Sequence, residues 1–250
     1  MTTRSIIMKK MDRGEADEIV IFLSRDKGWL TGVAKNSRKS RVRFGGHLEP
    51  FCLVDIVIRS RRKDAMVWID EAHMVRGFLR IRENMELLAR ASYFLELSSG
   101  LLPEGQADSN VFDLLEKILE SLDKSSPSSI EFLVQEIRLL ALLGYQPAFD
   151  NCPLCGKGFS ASNDTIFSPW AGGLCHKTCL NEPSLINVSV SPATVVALCH
   201  ALNSDSRLAG RIKLSRSART EIRRSLSAFV RYVRGQDLKS LKFMEDIGYY

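Results

Sequence analysis

Four cysteines stand in two close pairs, Cys152-Pro-Leu-Cys155 and Cys175-His-Lys-Thr-Cys179, with nineteen residues between the pairs. Thiolates at the first spacing can reach one metal ion from a single tight turn, and Gly156 directly after Cys155 eases that turn. Together the pairs can close around one tetrahedral zinc ion. Zinc would supply stability that a short, loop-rich segment cannot draw from a core of its own. His176 opens an alternative. Cys175 and Cys179 are separated by three residues, whereas His176 and Cys179 are separated by two, as Cys152 and Cys155 are. The favoured ligand set is Cys152, Cys155, Cys175 and Cys179, with His176 as the substitute for Cys175. Four donors leave no open coordination position, so the zinc is structural and not catalytic. Cys52 and Cys199 lie among apolar neighbours on strand and helix patterns and read as core residues.

The second chemical feature is charge. The chain has 250 residues and a formal net charge of +6. Lys35, Arg38, Lys39, Arg41 and Arg43 fall in one run without an acid, and Arg59, Arg61, Arg62 and Lys63 form a second cluster. Eleven Lys or Arg lie between Arg207 and Lys242 against Glu221 and Asp237, while residues 83–136 are acidic. A basic loop joining two strands can neutralise several phosphates, each contact releasing counterions. The competing explanation is a solvated charged loop. Trp29 and Phe44 flank the run and could stack on bases, though single aromatics are more often core. Arg216, Arg219, Arg223, Arg224, Arg231 and Arg234 sit outside the apolar stripe of the last long helix, where they suit either phosphate or water.

These groups need elements to hold them. Up to residue 78 the pattern is strand-like: Ser5–Lys9, Glu18–Ser24, Gly28–Ala34, Leu53–Arg59 and Met66–Asp70, joined by polar turns. Five short strands without helical period suggest a small closed barrel, best matched by an OB-fold. After Gly77 the period becomes helical. Asn110–Leu122 puts Val111, Leu114, Leu115, Ile118, Leu119 and Leu122 on one face. Ser126 reads as the cap of a second helix with Pro127 at its first position and Gly144 at its end. Further helices run from Ser191-Pro192 to about Asn203, and from near Ser215 to Gly235. The expected architecture is α+β: an OB-fold over residues 1–78, then a helical domain over 79–250 carrying an inserted zinc module at about 150–182.

Several function classes recede. No run approaches the roughly 18 apolar residues of a membrane span. The N-terminus lacks a secretory apolar core, and six cysteines are too sparse for a disulfide framework, so a reducing cytoplasm and metal-bound thiolates are expected. No P-loop, GxSxG or HExxH motif occurs, and His47, His73 and His200 have no partner at local spacing. The pattern suggests a scaffold that holds nucleic acid and no enzyme. A protein-interaction scaffold, with basic patches for acidic partner tails and little direct DNA binding, is the rival reading. A metal-dependent hydrolase would need an open metal position.

The chain resembles the bacterial recombination-mediator family RecO. The resemblance is carried by Gly28-Trp-Leu-Thr-Gly-Val-Ala-Lys35 and by Ser37-Arg-Lys-Ser-Arg-Val-Arg-Phe-Gly-Gly-His-Leu-Glu-Pro-Phe51. Leu139–Gly144, Phe167-Ser-Pro169, Gly172-Gly173 before Cys175 and Leu238-Lys-Ser240 extend it over essentially the whole chain. It implies an N-terminal OB-fold, a helical domain with a zinc module, and a non-enzymatic role in DNA repair and recombination at the nucleoid. It further implies binding of single- and double-stranded DNA, strand annealing, partnership with RecR and single-strand-binding protein, and help in loading RecA onto gaps. Carried over, Lys35, Arg38, Lys39, Arg41 and Arg43 would touch DNA. The family usually spaces its second ligand pair by two residues, whereas Cys175 and Cys179 are separated by three, which leaves Cys175 and His176 both open.

Overall fold

The computed structural model describes residues 1–59, 66–159, 164–180, 186–203 and 214–248. Arg61, Arg62 and Lys63 of the second basic cluster lie outside them, as do Arg207, Arg211 and Lys213. The chain divides into two compact units, Met1–Ser126 and Pro127–Gly248.

In the first unit, strands β1 (Thr2–Arg13), β2 (Asp17–Ser24), β3 (Gly28–Ala34), β4 (Leu53–Arg59) and β5 (Val67–Arg76) close a barrel in the order β1-β2-β3-β5-β4. This is the expected OB-fold. Strand β1 is long enough to pair on both edges: Thr2–Ile6 with β4, and Ser5–Arg13 with β2. An extra residue between Ile7 and Lys9 shifts its register, and such a bulge bends the strand from one neighbour to the other. Closure comes from the one parallel pairing, Gly32–Ala34 of β3 against Val67–Ile69 of β5. Alternation along the strands sends Val20, Phe22, Val54, Ile56, Ile58 and Ile69 into the core. Burial of each contributes roughly 1.5–3 kcal/mol against the chain's conformational entropy. Trp29 and Phe44 are buried as well, so neither ring is available to stack on a base.

Three helices complete this unit: α1 (Leu79–Glu83), α2 (Met85–Leu101) and α3 (Ser109–Lys124). Asp108 caps α3 by accepting from the backbone N–H groups of Asn110 and Val111. The second unit starts with α4 (Ser129–Leu142). Its cap is Ser128, not Ser126. Ser128 accepts from the Glu131 N–H while the Glu131 carboxylate accepts from the Ser128 N–H, and this reciprocal pair sets the start two residues later than the proline suggested. Strands β6 (Thr165–Ser168), β7 (Gly173–His176) and β8 (Val188–Ser189) form a small antiparallel sheet in the order β7-β6-β8. Helices α5 (Pro192–Asn203), α6 (Arg216–Arg234) and α7 (Lys239–Asp246) follow. No described helix is long and apolar enough to cross a membrane.

Candidate metal centre and nucleic-acid interface

The cysteine module is built from backbone constraints. At Cys152 the chain turns on itself: the Cys152 N–H donates to the Lys157 carbonyl (2.9 Å) and the Gly156 N–H to the Cys152 carbonyl (2.8 Å). Gly156 takes φ 73°, the left-handed conformation that glycine adopts without steric cost. Strand β7 returns beside it, with Gly173 bridged to Ala148. A Cβ at Gly173 would lie 2.1 Å from the Ala148 carbonyl oxygen, so only glycine admits this approach. The short 3₁₀ turn Lys177–Cys179 then brings Cys179 round to the knuckle.

The result gathers Cys152, Cys155, His176 and Cys179, whose donor atoms all lie within 4.8 Å of one another. Cys175, in the favoured set above, is not among them. Neighbours on β7 present different faces, yet the buried Cys175 thiol still interacts with the Cys152 sulfur, so it borders the cluster rather than pointing away from it. Cys175 is fully buried with its sulfur 3.8 Å from the Gly173 carbonyl, while half-buried His176 faces the knuckle. Nδ1 of His176 lies 3.4 Å from Cys155 Sγ, and its Nε2 is 3.3 Å from the Gly158 carbonyl. That carbonyl can accept only from an Nε2–H, which leaves the Nδ1 lone pair to a metal. The Phe159 ring, 5.1 Å from the imidazole between centroids, packs beside it. Three thiols and one imidazole are a zinc donor set of the structural kind, and no fifth position is held open by these residues.

Two cysteines differ sharply in acidity. Burial works against the Cys152 thiolate, but N–H groups of His176, Leu154 and Cys155 and the His176 side chain stabilise it, and its pKa falls to about 6. Burial pushes Cys175 up to about 12, and negative charge on Cys152 adds to the effect. The lowered pKa gives Cys152 thiolate character, while Cys175 beside it holds its proton. Cys52 is buried in the barrel core, and half-buried Cys199 places its sulfur 3.2 Å from the Phe149 carbonyl.

The basic run occupies the β3–β4 connection. It is a held segment rather than a free loop. Asn36 takes a positive φ of 55°, and its carbonyl accepts from the N–H groups of Lys39 (3.2 Å) and Ser40 (2.9 Å). The Arg38 N–H donates to the Ala16 carbonyl (3.2 Å), and the Ala72 N–H to the Arg43 carbonyl (2.9 Å). Phe44 and Leu48 then plug the barrel. This framework leaves Lys35, Arg38, Lys39 and Arg41 exposed and Arg43 half-buried. Arg43 is committed to the fold, donating to the Ser40 hydroxyl (3.2 Å) and the Lys35 carbonyl (2.9 Å). Arg38 pairs with exposed Asp12 at 3.5 Å, and the Lys35 ammonium stands 4.6 Å from the Trp68 ring. The side chains of Lys39 and Arg41 make no ion pair among the described residues. Lys10, by contrast, is spent on Glu49 (2.6 Å) and Glu18 (3.2 Å). Positive charge therefore faces outward from the run, where a surface site meets a polyanion.

The Trp68 platform under Lys35 was not legible from local spacing, because it depends on the non-local β3–β5 pairing. His176 did have a sequence signal: its spacing to Cys179 repeats that of Cys152 to Cys155.

Comparison with known proteins covers nearly the whole chain. Residues 1–78 match the family model described as Recombination protein O N terminal, and residues 82–242 the one described as Recombination protein O C terminal. The DNA repair protein RecO of Myxococcus xanthus (strain DK1622) is 34% identical over 244 residues, covering 98% of this chain and 96% of that protein. The DNA repair protein RecO of Dehalococcoides mccartyi (strain ATCC BAA-2266 / KCTC 15142 / 195) is 32% identical over 245 residues, covering 98% and 95%. That of Syntrophus aciditrophicus (strain SB) is 30% identical over 246 residues, with the same coverage.

Proposed function

Because this chain belongs to the RecO family of DNA repair proteins, we propose that it is a recombination mediator that binds single- and double-stranded DNA directly and promotes annealing of complementary strands. In this reading it works in the cytoplasm at the nucleoid. With RecR it helps load RecA onto gaps coated with single-strand-binding protein. The carrying observation is the held basic segment, which presents Lys35, Arg38, Lys39 and Arg41 outward on the barrel with no acid in the run.

The mechanism is electrostatic and needs no bond-making step. Exposed cations screen the phosphates of two strands so that they approach, and base pairing supplies the sequence selection that the protein does not. A pre-shaped loop lowers the ordering cost of the contact. Zinc held by Cys152, Cys155, His176 and Cys179 would fix the fold of its module and take no part in chemistry.

The test is fluorescence anisotropy with labelled single- and double-stranded oligonucleotides over a salt series. Affinity should fall steeply with salt. Replacing Arg38, Lys39 and Arg41 by Ala should flatten the log–log slope by about 0.7 per lost contact on single strands and about 0.9 on duplex. Absence of binding at low salt sinks the reading and puts the protein-interaction scaffold in its place, as does a slope unchanged in the triple variant.

A further inference from the structure

Helix α6 carries six arginines and one acid, Glu221. Its inward face, Ala218, Ile222, Leu226, Phe229 and Val230, is buried. Glu221 is fully engaged: one carboxylate oxygen accepts from the Ser191 N–H (2.7 Å), the Ser191 hydroxyl (2.8 Å) and the Thr194 hydroxyl (2.6 Å). It does little to balance the arginines. On the side away from its core, α6 borders a cavity of about 700 Å³ whose lining includes Ile186, Val188, Ala228, Tyr232, Arg224 and Arg231. Ile186 is 42% exposed and Tyr232 49%. An aliphatic floor and a phenol ring thus lie open to solvent within one cavity, rimmed by guanidinium groups.

We propose that this groove is a second nucleic-acid site, which takes single-stranded DNA by stacking a base on Tyr232 while Arg224 and Arg231 contact the flanking phosphates. The proposal rests on the DNA-binding reading above and adds a site on the helical unit. Alternating apolar ring and cation is the pattern of sequence-tolerant single-strand binding. Arginine suits it better than lysine, because a guanidinium both forks to phosphate and stacks. Arg231 is paired with Asp237, and both are exposed, so a phosphate can compete for it in water.

Of the modes by which an acidic peptide could dock, strand addition has little to build on here, because β8 beside the groove spans only Val188–Ser189.

The experiment uses the full-length protein, a single strand carrying 5-iodo-deoxyuridine, and photo-crosslinking read by mass spectrometry, alongside anisotropy. Crosslinks are expected at Tyr232. Tyr232→Ala in the Arg38/Lys39/Arg41 triple-Ala background should weaken the remaining single-strand affinity by about five- to tenfold or more, and Tyr232→Phe should not. Melting curves check that each variant is folded. Crosslinks confined to residues 35–43, with Tyr232→Ala binding like its parent, overturn the groove while leaving the DNA reading intact. If the wild type binds no DNA, both fall. If a labelled acidic peptide occupies the groove in a Tyr232-dependent way and single-stranded DNA does not displace it, the groove serves a protein partner and the proposal is wrong.

Discussion

At the residue scale, the proposed metal site turns on which of two adjacent side chains joins the other three donors. Cys175 and His176 are neighbours on β7: the imidazole joins the four close donors, while the buried Cys175 thiol borders them beside Cys152. Sequence spacing alone admitted both, because a reading by residue type prefers a thiol to an imidazole. What it lacked was the strand: β7 registers against β6, with Thr165 opposite His176 and Ile166 opposite Cys175, and brings the imidazole within reach of the other three donors. Zinc measured by inductively coupled plasma mass spectrometry on purified protein should remain at about one per chain in Cys175→Ser, and should be largely lost in His176→Ala and Cys152→Ser. Full loss in Cys175→Ser with retention in His176→Ala would restore the four-thiolate set. The basic run follows the same logic. Its residue types announced phosphate chemistry, but which of its cations are free for it was decided by hydrogen bonds no pattern reveals, such as those that commit Arg43 to Ser40 and Lys35.

At the element scale, legibility followed how one-sided the burial is. Helix α3 buries Val111, Leu115, Ile118, Leu119 and Leu122 along one stripe, and its period was plain. Helix α2 buries Leu87, Ala89, Ala91, Tyr93, Phe94, Leu95 and Leu97 almost all round, so it shows no stripe and went unread. The sheet of the cysteine module was also missed, since strands of two to four residues are below what alternation can mark. The connection between α5 and α6 was invisible for another reason: it is made by one carboxylate across thirty residues. Glu221 accepts three hydrogen bonds at the start of α5. Burial resists its ionisation, but the Ser191 and Thr194 donors prevail and hold its pKa below the usual value of 4.5. A depressed carboxylate adds stability above the unfolded pKa and loses it as pH falls through the folded one. Glu221→Gln should therefore lose about 1–2 kcal/mol at neutral pH. The gap in thermal midpoint from the parent should hold above the ordinary carboxylate pKa and close as pH falls through the depressed folded one. A gap independent of pH would assign Glu221 a packing role alone.

At the scale of the whole molecule, the two units draw their stability from different sources. The barrel of Met1–Ser126 has a continuous apolar core, from Ile7 and Phe22 to Ile56 and Ile69. The segment from Ala148 to Cys179 in the second unit has, among the described residues, three short pieces of sheet and turn, few buried apolar side chains such as Phe149, Phe167 and Leu174, and a cluster of three thiols and an imidazole. In such a segment metal affinity is folding free energy, because the unfolded chain offers no preformed site. Chelation should then act locally. After treatment with a strong chelator under reducing conditions, amide hydrogen exchange should accelerate across residues 148–180 and stay slow in β1–β5. The DNA affinity proposed for Lys35–Arg43 should persist, since that segment is held by backbone hydrogen bonds to the Ala16 carbonyl and from the Ala72 N–H. Uniform acceleration through the barrel would show that the metal supports the whole fold. Exchange unchanged at 148–180 would mean that the cysteines stabilise the module without an ion, and would leave Cys152, despite its lowered pKa, as a thiolate with no metal to bind.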